Sequence, residues 1–180
     1  MQPSPLQLSD LFFVHSDVRP RIAPVITTHP GVRERFKFSD TVMTTTVEHA
    51  VAPDDEESPV TSVLVTLQLI LSDEGSAPSP YIVDVKCVGY FTISKKAFPD
   101  EIKRIDVAVV NAASLLYGTI REHLTVLTAR MWYGELLLPA VNFLQNAPSL
   151  TANANGTAGT TAEVAVPAKG RKRAGTNRTK

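Results

Sequence analysis

At 180 residues the chain fits one domain, and setting aside a polar tail still leaves length for one sizeable core. Its zero formal charge conceals a split: six cations, Lys169, Arg171, Lys172, Arg173, Arg178 and Lys180, follow the last acid, Glu163. The rest of the chain therefore holds twelve basic against eighteen acidic groups, about minus six. Cys87 is the single cysteine, which excludes an internal disulfide and a thiolate metal cluster and agrees with a reducing cytosol. The start, MQPSPLQLSD, has neither a cationic region nor the apolar run of a secretion signal, and the apolar stretches are too short for a bilayer span, so a soluble, cytoplasmic protein without membrane insertion is expected.

Leu6, Leu8, Leu11, Phe13 and Val14 predict a first strand with a slip in its alternation, ending near Pro20. Pro20, Pro24 and Pro30 make the next stretch an extended connector. Phe36, Phe38 and Val42, then Met43, Thr45 and Val47, change face around Asp40, as a bulged second strand would. The acidic turn PDDEESP ends it. Val63, Val65, Leu67, Leu69 and Leu71 alternate into a third strand, and Val83, Val85, Cys87, Gly89, Phe91 and Ile93 give a fourth. On the other face of the third strand, Leu64, Thr66, Gln68 and Ile70 are too apolar for a fully wet surface.

Helices come only afterwards. Pro99, Asp100 and Glu101 make a helix start whose acids complement the positive end of the dipole, with Ile102, Ile105 and Val109 facing inward. Leu116, Ile120, Leu124, Leu127 and Met131 then form one stripe of a second helix, until Trp132, Tyr133 and Gly134 break the period. Leu136, Leu137 and Leu138 follow before Pro139 closes any regular element. Four consecutive strands joined by polar turns, then two helices, predict an α+β fold: a four-stranded antiparallel sheet with both helices on one face. The body is expected to span 1–148, and the Ala/Thr/Gly-rich stretch 149–180 with its basic end to be a disordered tail.

No catalytic constellation emerges. His15, His29, His49 and His123 lie on different elements without the helical spacing of a zinc site, and Cys87 faces inward, where a thiol acts as a small apolar group. The glycines form no phosphate-cradling loop before a helix. An enzyme, a metal and a cofactor are therefore not expected. The basic end lacks aromatics for base stacking, which argues against a nucleic-acid partner. Arg121 and Glu122 are helical neighbours that cannot share a face, so one of them is expected to point inward or into a subunit contact.

The segment from Leu115 to Phe143 resembles the SecB-type export chaperones. The positions that carry the likeness are Tyr117, the pair Arg121 and Glu122, Arg130, Leu136, Leu138 and the run Val141, Asn142 and Phe143, and it extends more weakly back to about Leu6. Gly118 and Gly134 stand where the family usually has proline, and the end is basic where many members end acidic. The resemblance implies a homotetramer, a dimer of dimers with helices between two sheets. It also implies an ATP-independent holdase for unfolded polypeptides. Its grooves would be lined by Phe36, Phe38, Trp132, Tyr133, Leu136, Leu137 and Leu138, although the same residues would serve subunit packing. Leu116, Ile120, Leu124 and Leu127, with Arg121 and Glu122, would be structural or interface groups. Asp17 and Asp84 match acidic sheet-surface positions by which SecB proteins meet SecA; a third such position holds Arg21. Within the same family, the basic end fits a chaperone released from export and dedicated to one antitoxin client. A reading of another class, a small-ligand-binding protein or enzyme with a pocket between sheet and helices, lacks convergent polar residues in the predicted core.

Overall fold

A computed structural model describes residues 4–21, 41–53, 55–71, 79–152 and 160–164. In chain order these form β1 (Leu6–Pro20), β2 (Met43–Val51), β3 (Val60–Leu71), β4 (Tyr81–Ser94), α1 (Glu101–Thr128), a 3-10 turn at Leu144–Asn146, α2 (Pro148–Ala152) and β5 (Thr160–Val164). All strand pairs are antiparallel, in the order β1-β4-β3-β2-β5, and α1 lies across one face of the sheet. The architecture is the α+β layer pair that the pattern of strands and then helices implies. Phe36, Phe38 and the face change around Asp40 lie outside the described residues.

The slip in β1 is real and double. Register shifts fall between Leu8 and Asp10 and between Phe13 and His15, and each bulge re-aims the side chains that follow it. By contrast, β2, β3 and β4 pair without interruption, so one face of each stays inward along its length. Met43, Val47, Val65, Leu67, Leu69, Val83, Val85, Cys87, Phe91 and Ile93 form the sheet side of the core. On the outer face of β3, Thr66 is buried and Leu64, Gln68 and Ile70 are half-buried, in keeping with their mixed character.

Two features depart from the expected helix layer. The predicted pair of long helices is one continuous helix, α1, because Ala108, Val109, Ala112, Ala113 and Leu116 carry the buried period from its first half into its second with no breaker between. Asp100 caps it, its side chain accepting from the Lys103 N–H at 3.1 Å. The second helix in sequence is the short α2. The other departure is in the stretch 149–180, where α2 ends and β5 pairs with β2.

One position lets the two layers meet closely. A Cβ on Gly89 of β4 would stand 2.5 Å from Phe91 Cε2 and 3.0 Å from Leu116 Cδ2 of α1. Only a residue without a side chain lets α1 seat this deeply.

Candidate functional site

After α1 the chain turns back along the helix, and hydrogen bonds fix where each loop side chain goes. Thr128, fully buried, donates through Oγ1 to the Leu124 carbonyl at 2.7 Å and accepts the Leu136 N–H at 2.8 Å. Gly134 sits at φ 77°, a left-handed turn that suits glycine, and its carbonyl accepts the Tyr81 hydroxyl at 2.6 Å. Tyr133 donates to the Arg21 carbonyl at 2.7 Å and meets Tyr81 edge to face at 5.7 Å. Farther on, the Tyr117 hydroxyl donates to the Pro139 carbonyl at 2.6 Å, and its ring lies 5.6 Å from that of Phe143. Burial pushes the Tyr117 phenol well above its usual range, so it stays a donor. Finally Asp106 of α1 accepts both the Ser149 N–H at 2.9 Å and its hydroxyl at 2.5 Å, which ties α2 to the helix.

This scaffold sorts the predicted groove. Leu136 and Leu138 point into the core and are fully buried, whereas Leu137 between them is exposed, because an extended segment sends alternate side chains to opposite faces. The two buried leucines therefore belong to the scaffold, a correction to their place among the client-contacting residues. Trp132 is 76% exposed and Tyr133 only half-buried. What remains on the surface is Trp132, Leu137, part of Tyr133 and, a little farther along, Leu144.

On α1, Leu116, Ile120 and Leu124 are buried as expected, but the stripe continues at Thr128, and Leu127 is exposed. A period of 3.6 accommodates either position, and the Thr128 hydroxyl is the one given inward partners. Arg121 and Glu122 both face outward in the single chain, so neither is an interior charge. Beside them Leu115 and Val126 are 51% and 66% exposed. Around Gly118 a Cβ would meet open space, so this helix face has no cover among the described residues of one chain.

Sequence reasoning missed an aromatic pair on the outer sheet face. Phe12 and Tyr90, both exposed, have ring centroids 6.1 Å apart. Phe12 sits between two inward residues, Leu11 and Phe13, in a stretch of β1 paired without a shift, so alternation alone turns it outward, and the signal was there to be read. On the inner side, His123 of α1 stacks on Phe13 at 4.2 Å and shares a 3.0 Å hydrogen bond with Ser16. Partial burial lowers its pKa below the ordinary histidine value.

The predicted acidic surface positions do come together. Asp17 and Asp84 are cross-strand partners, with Arg19 bridging Asp17 at 2.9 Å. Asp84 accepts from Gln68 Nε2 at 2.8 Å and lies 3.8 Å from His15. Like charges directly opposite repel, and these neighbours offset that repulsion. Arg21 turns away from the pair, donating through Nε to the Ser79 carbonyl at 3.0 Å. Cys87 is fully buried and its thiol is pushed up to about 11 by burial, which holds it in the neutral form. Among the described residues no group of three His, Cys, Asp or Glu side chains could hold a metal ion, and no helix is long and apolar enough to cross a membrane.

No family model matches the sequence, and no curated protein matches it. Solved structures do. A protein of unknown function from Streptococcus agalactiae matches with a TM-score of 0.50 at 14% identity, over 75% of this chain and 97% of that one. The first likeness establishes the fold. A SecB-like chaperone from Mycobacterium tuberculosis, solved in complex with a peptide from an antitoxin, matches with a TM-score of 0.46 at 18% identity, over 76% of this chain and 90% of that one.

Proposed function

We propose that this chain is an ATP-independent holdase of SecB type, acting in the cytoplasm as a homotetramer on unfolded or aggregation-prone polypeptides. One observation carries the reading: a rigidly pinned loop holds Trp132 and Leu137 out of the core while their neighbours are locked in. Arg130 and Glu135 of the same loop also face outward, and between these charges it presents a large indole on a scaffold of buried hydrogen bonds. Removing about 25 cal/mol of unfavourable hydration per Å² of apolar surface makes many such weak contacts additive over an oligomer, which suits recognition without sequence readout. The resemblance of Tyr117, Arg121, Glu122 and the Val141 to Phe143 run to SecB proteins supports the same reading, and the Asp17 and Asp84 pair is then the surface offered to SecA.

The test replaces Trp132 and Leu137 by serine and measures binding of a permanently unfolded model polypeptide together with oligomer mass and melting temperature. Both residues are surface groups, so client affinity should fall at least about tenfold while mass and melting stay unchanged. Loss of assembly together with affinity would make the loop a subunit contact. Strong protection of one encoded neighbour, with none for several unrelated polypeptides, would replace the general holdase by a dedicated antitoxin chaperone.

A further inference from the structure

The two edges of the sheet differ in how they receive another strand. β1 forms one edge, and its two bulges, its Pro20 and its charged residues spoil a regular row of donors and acceptors. β2, at the other side, pairs with β3 through all nine of its residues without a register shift. Its outer side is taken by β5 over five of them, Met43 to Val47, leaving Glu48 to Val51 without a strand on that side among the described residues. β5 is drawn from a stretch, TTAEV, that places Val164, Ala162 and Thr160 opposite Met43, Thr45 and Val47. Those three β2 residues are buried and point toward the helix layer, so the register positions facing them are the ones where apolar bulk would count. β5 supplies one valine, one alanine and one threonine.

From this we propose that the outer edge of β2 is an acceptor for an extended polypeptide strand, and that β5 is its resident occupant, displaced when a client binds. The inference deepens the holdase reading and rests on it. Main-chain hydrogen bonds would give the edge its tolerance of sequence, and alternate side chains would give it preference. A client strand with Leu, Ile or Phe at the positions opposite Met43, Thr45 and Val47 brings larger apolar side chains to that register than the Val, Ala and Thr of the β5 sequence, and a strand of nine residues also pairs with Glu48 to Val51. β5, tethered to the body through 153–159, competes through effective concentration rather than through strength of pairing. The occupied edge is thereby kept from pairing with a second copy when no client is present.

The experiment closes the edge reversibly. Thr46 and Thr161 are directly opposite across β2 and β5, so the full-length double variant Thr46→Cys with Thr161→Cys forms a disulfide on oxidation and releases it on reduction. Two probes are titrated in both states: a thiol-free, permanently unfolded polypeptide, and a nine-residue peptide alternating leucine with threonine. The oxidised protein should bind both at least about tenfold more weakly than the reduced protein, and the reduced protein should match the unsubstituted chain. The variant with both Thr161→Pro and Ala162→Pro, one of which removes a donor from the ladder with β2 because successive N–H groups of a strand point to opposite sides, should bind both probes several-fold more tightly than the unsubstituted chain. Equal affinity before and after oxidation would overturn the strand acceptor and leave the holdase reading intact. Failure of the cysteines to join would show that β5 does not occupy the edge, and would overturn it equally. Absence of binding by the unsubstituted chain would instead remove the holdase reading itself.

Discussion

A methyl group at position 89 would have nowhere to go. It would meet the Phe91 ring and Leu116 at once, one from the same strand and one from the helix across the layer. Gly89→Ala should lower stability by about 1–3 kcal/mol, the range for overpacking a close-packed interior. The denaturant midpoint read by helix circular dichroism checks this; an unchanged midpoint would mean that α1 has room to rise. At this scale the sequence was legible where one alternation ruled, as in Val83, Val85, Cys87 and Phe91. It was illegible where two choices satisfied the same period. Leu127 looked the better core residue, yet Thr128 is buried because its hydroxyl closes the Leu136 N–H, and no apolar count detects that. Likewise three adjacent leucines carry no mark of which one an extended segment will turn outward.

Between elements, the union of β1 with α1 depends on His123, which stacks on Phe13 and bonds to Ser16. Burial makes the folded ring hold a proton less readily than the unfolded ring, whose ordinary pKa is about 6.5. Below that value the unfolded chain binds more protons, so stability falls as pH drops through about 6.5 toward the lowered folded value, and this contribution is flat above it. His49, also lowered by burial against an opposing pull from Asp106, acts in the same direction. Denaturant midpoints should therefore decline between about pH 7 and about pH 5, and His123→Gln should decline less steeply over that interval. Parallel slopes for the two proteins would show that the ring is not buried enough to matter. The order of four strands followed by helix was readable because turns and alternation are local signals. The union of two helices into one was not: of the inner face read as Ile102, Ile105 and Val109, the latter two do pack on the core and Ile102 is exposed, but the alanines Ala108, Ala112 and Ala113 that carry the face onward have too little apolar bulk to mark it. β5 was missed because Thr, Ala and Glu show no apolar alternation of their own, and its pairing comes from β2.

Among the described residues of the molecule, one helix face stays uncovered. Leu115 and Val126 are eleven positions apart, three turns of helix, and so share a face with Gly118 and Glu122 between them. Association through this face is expected to give a tetramer by light scattering, about four times the 19.5 kDa chain mass. Leu115→Ser with Val126→Ser should reduce that mass at micromolar concentration without altering helix content, because neither side chain is in the core. A species at the chain mass for the unsubstituted protein would remove the tetramer. The proposed client surface was foreshadowed in part: the sequence placed an aromatic and aliphatic cluster after the helix, while its division into buried and exposed residues required the fold, and Phe36 and Phe38 lie outside the described residues.

The return of the chain along α1 also dictates an order of events during synthesis. Leu136, Leu138 and Phe143 complete the layer between sheet and helix, and Ser149 fastens that segment to Asp106. The ribosome makes all four residues after every element of the four-strand meander and α1. Until they emerge, the nascent sheet and helix have an open seam lined by Tyr117, Leu124 and Thr128, and strand pairs already formed cannot be sealed. Long-range closure by this late-made segment is slow relative to hairpin and helix formation. The chain that would shelter the greasy surfaces of others thus spends its own synthesis with one of its own unsheltered.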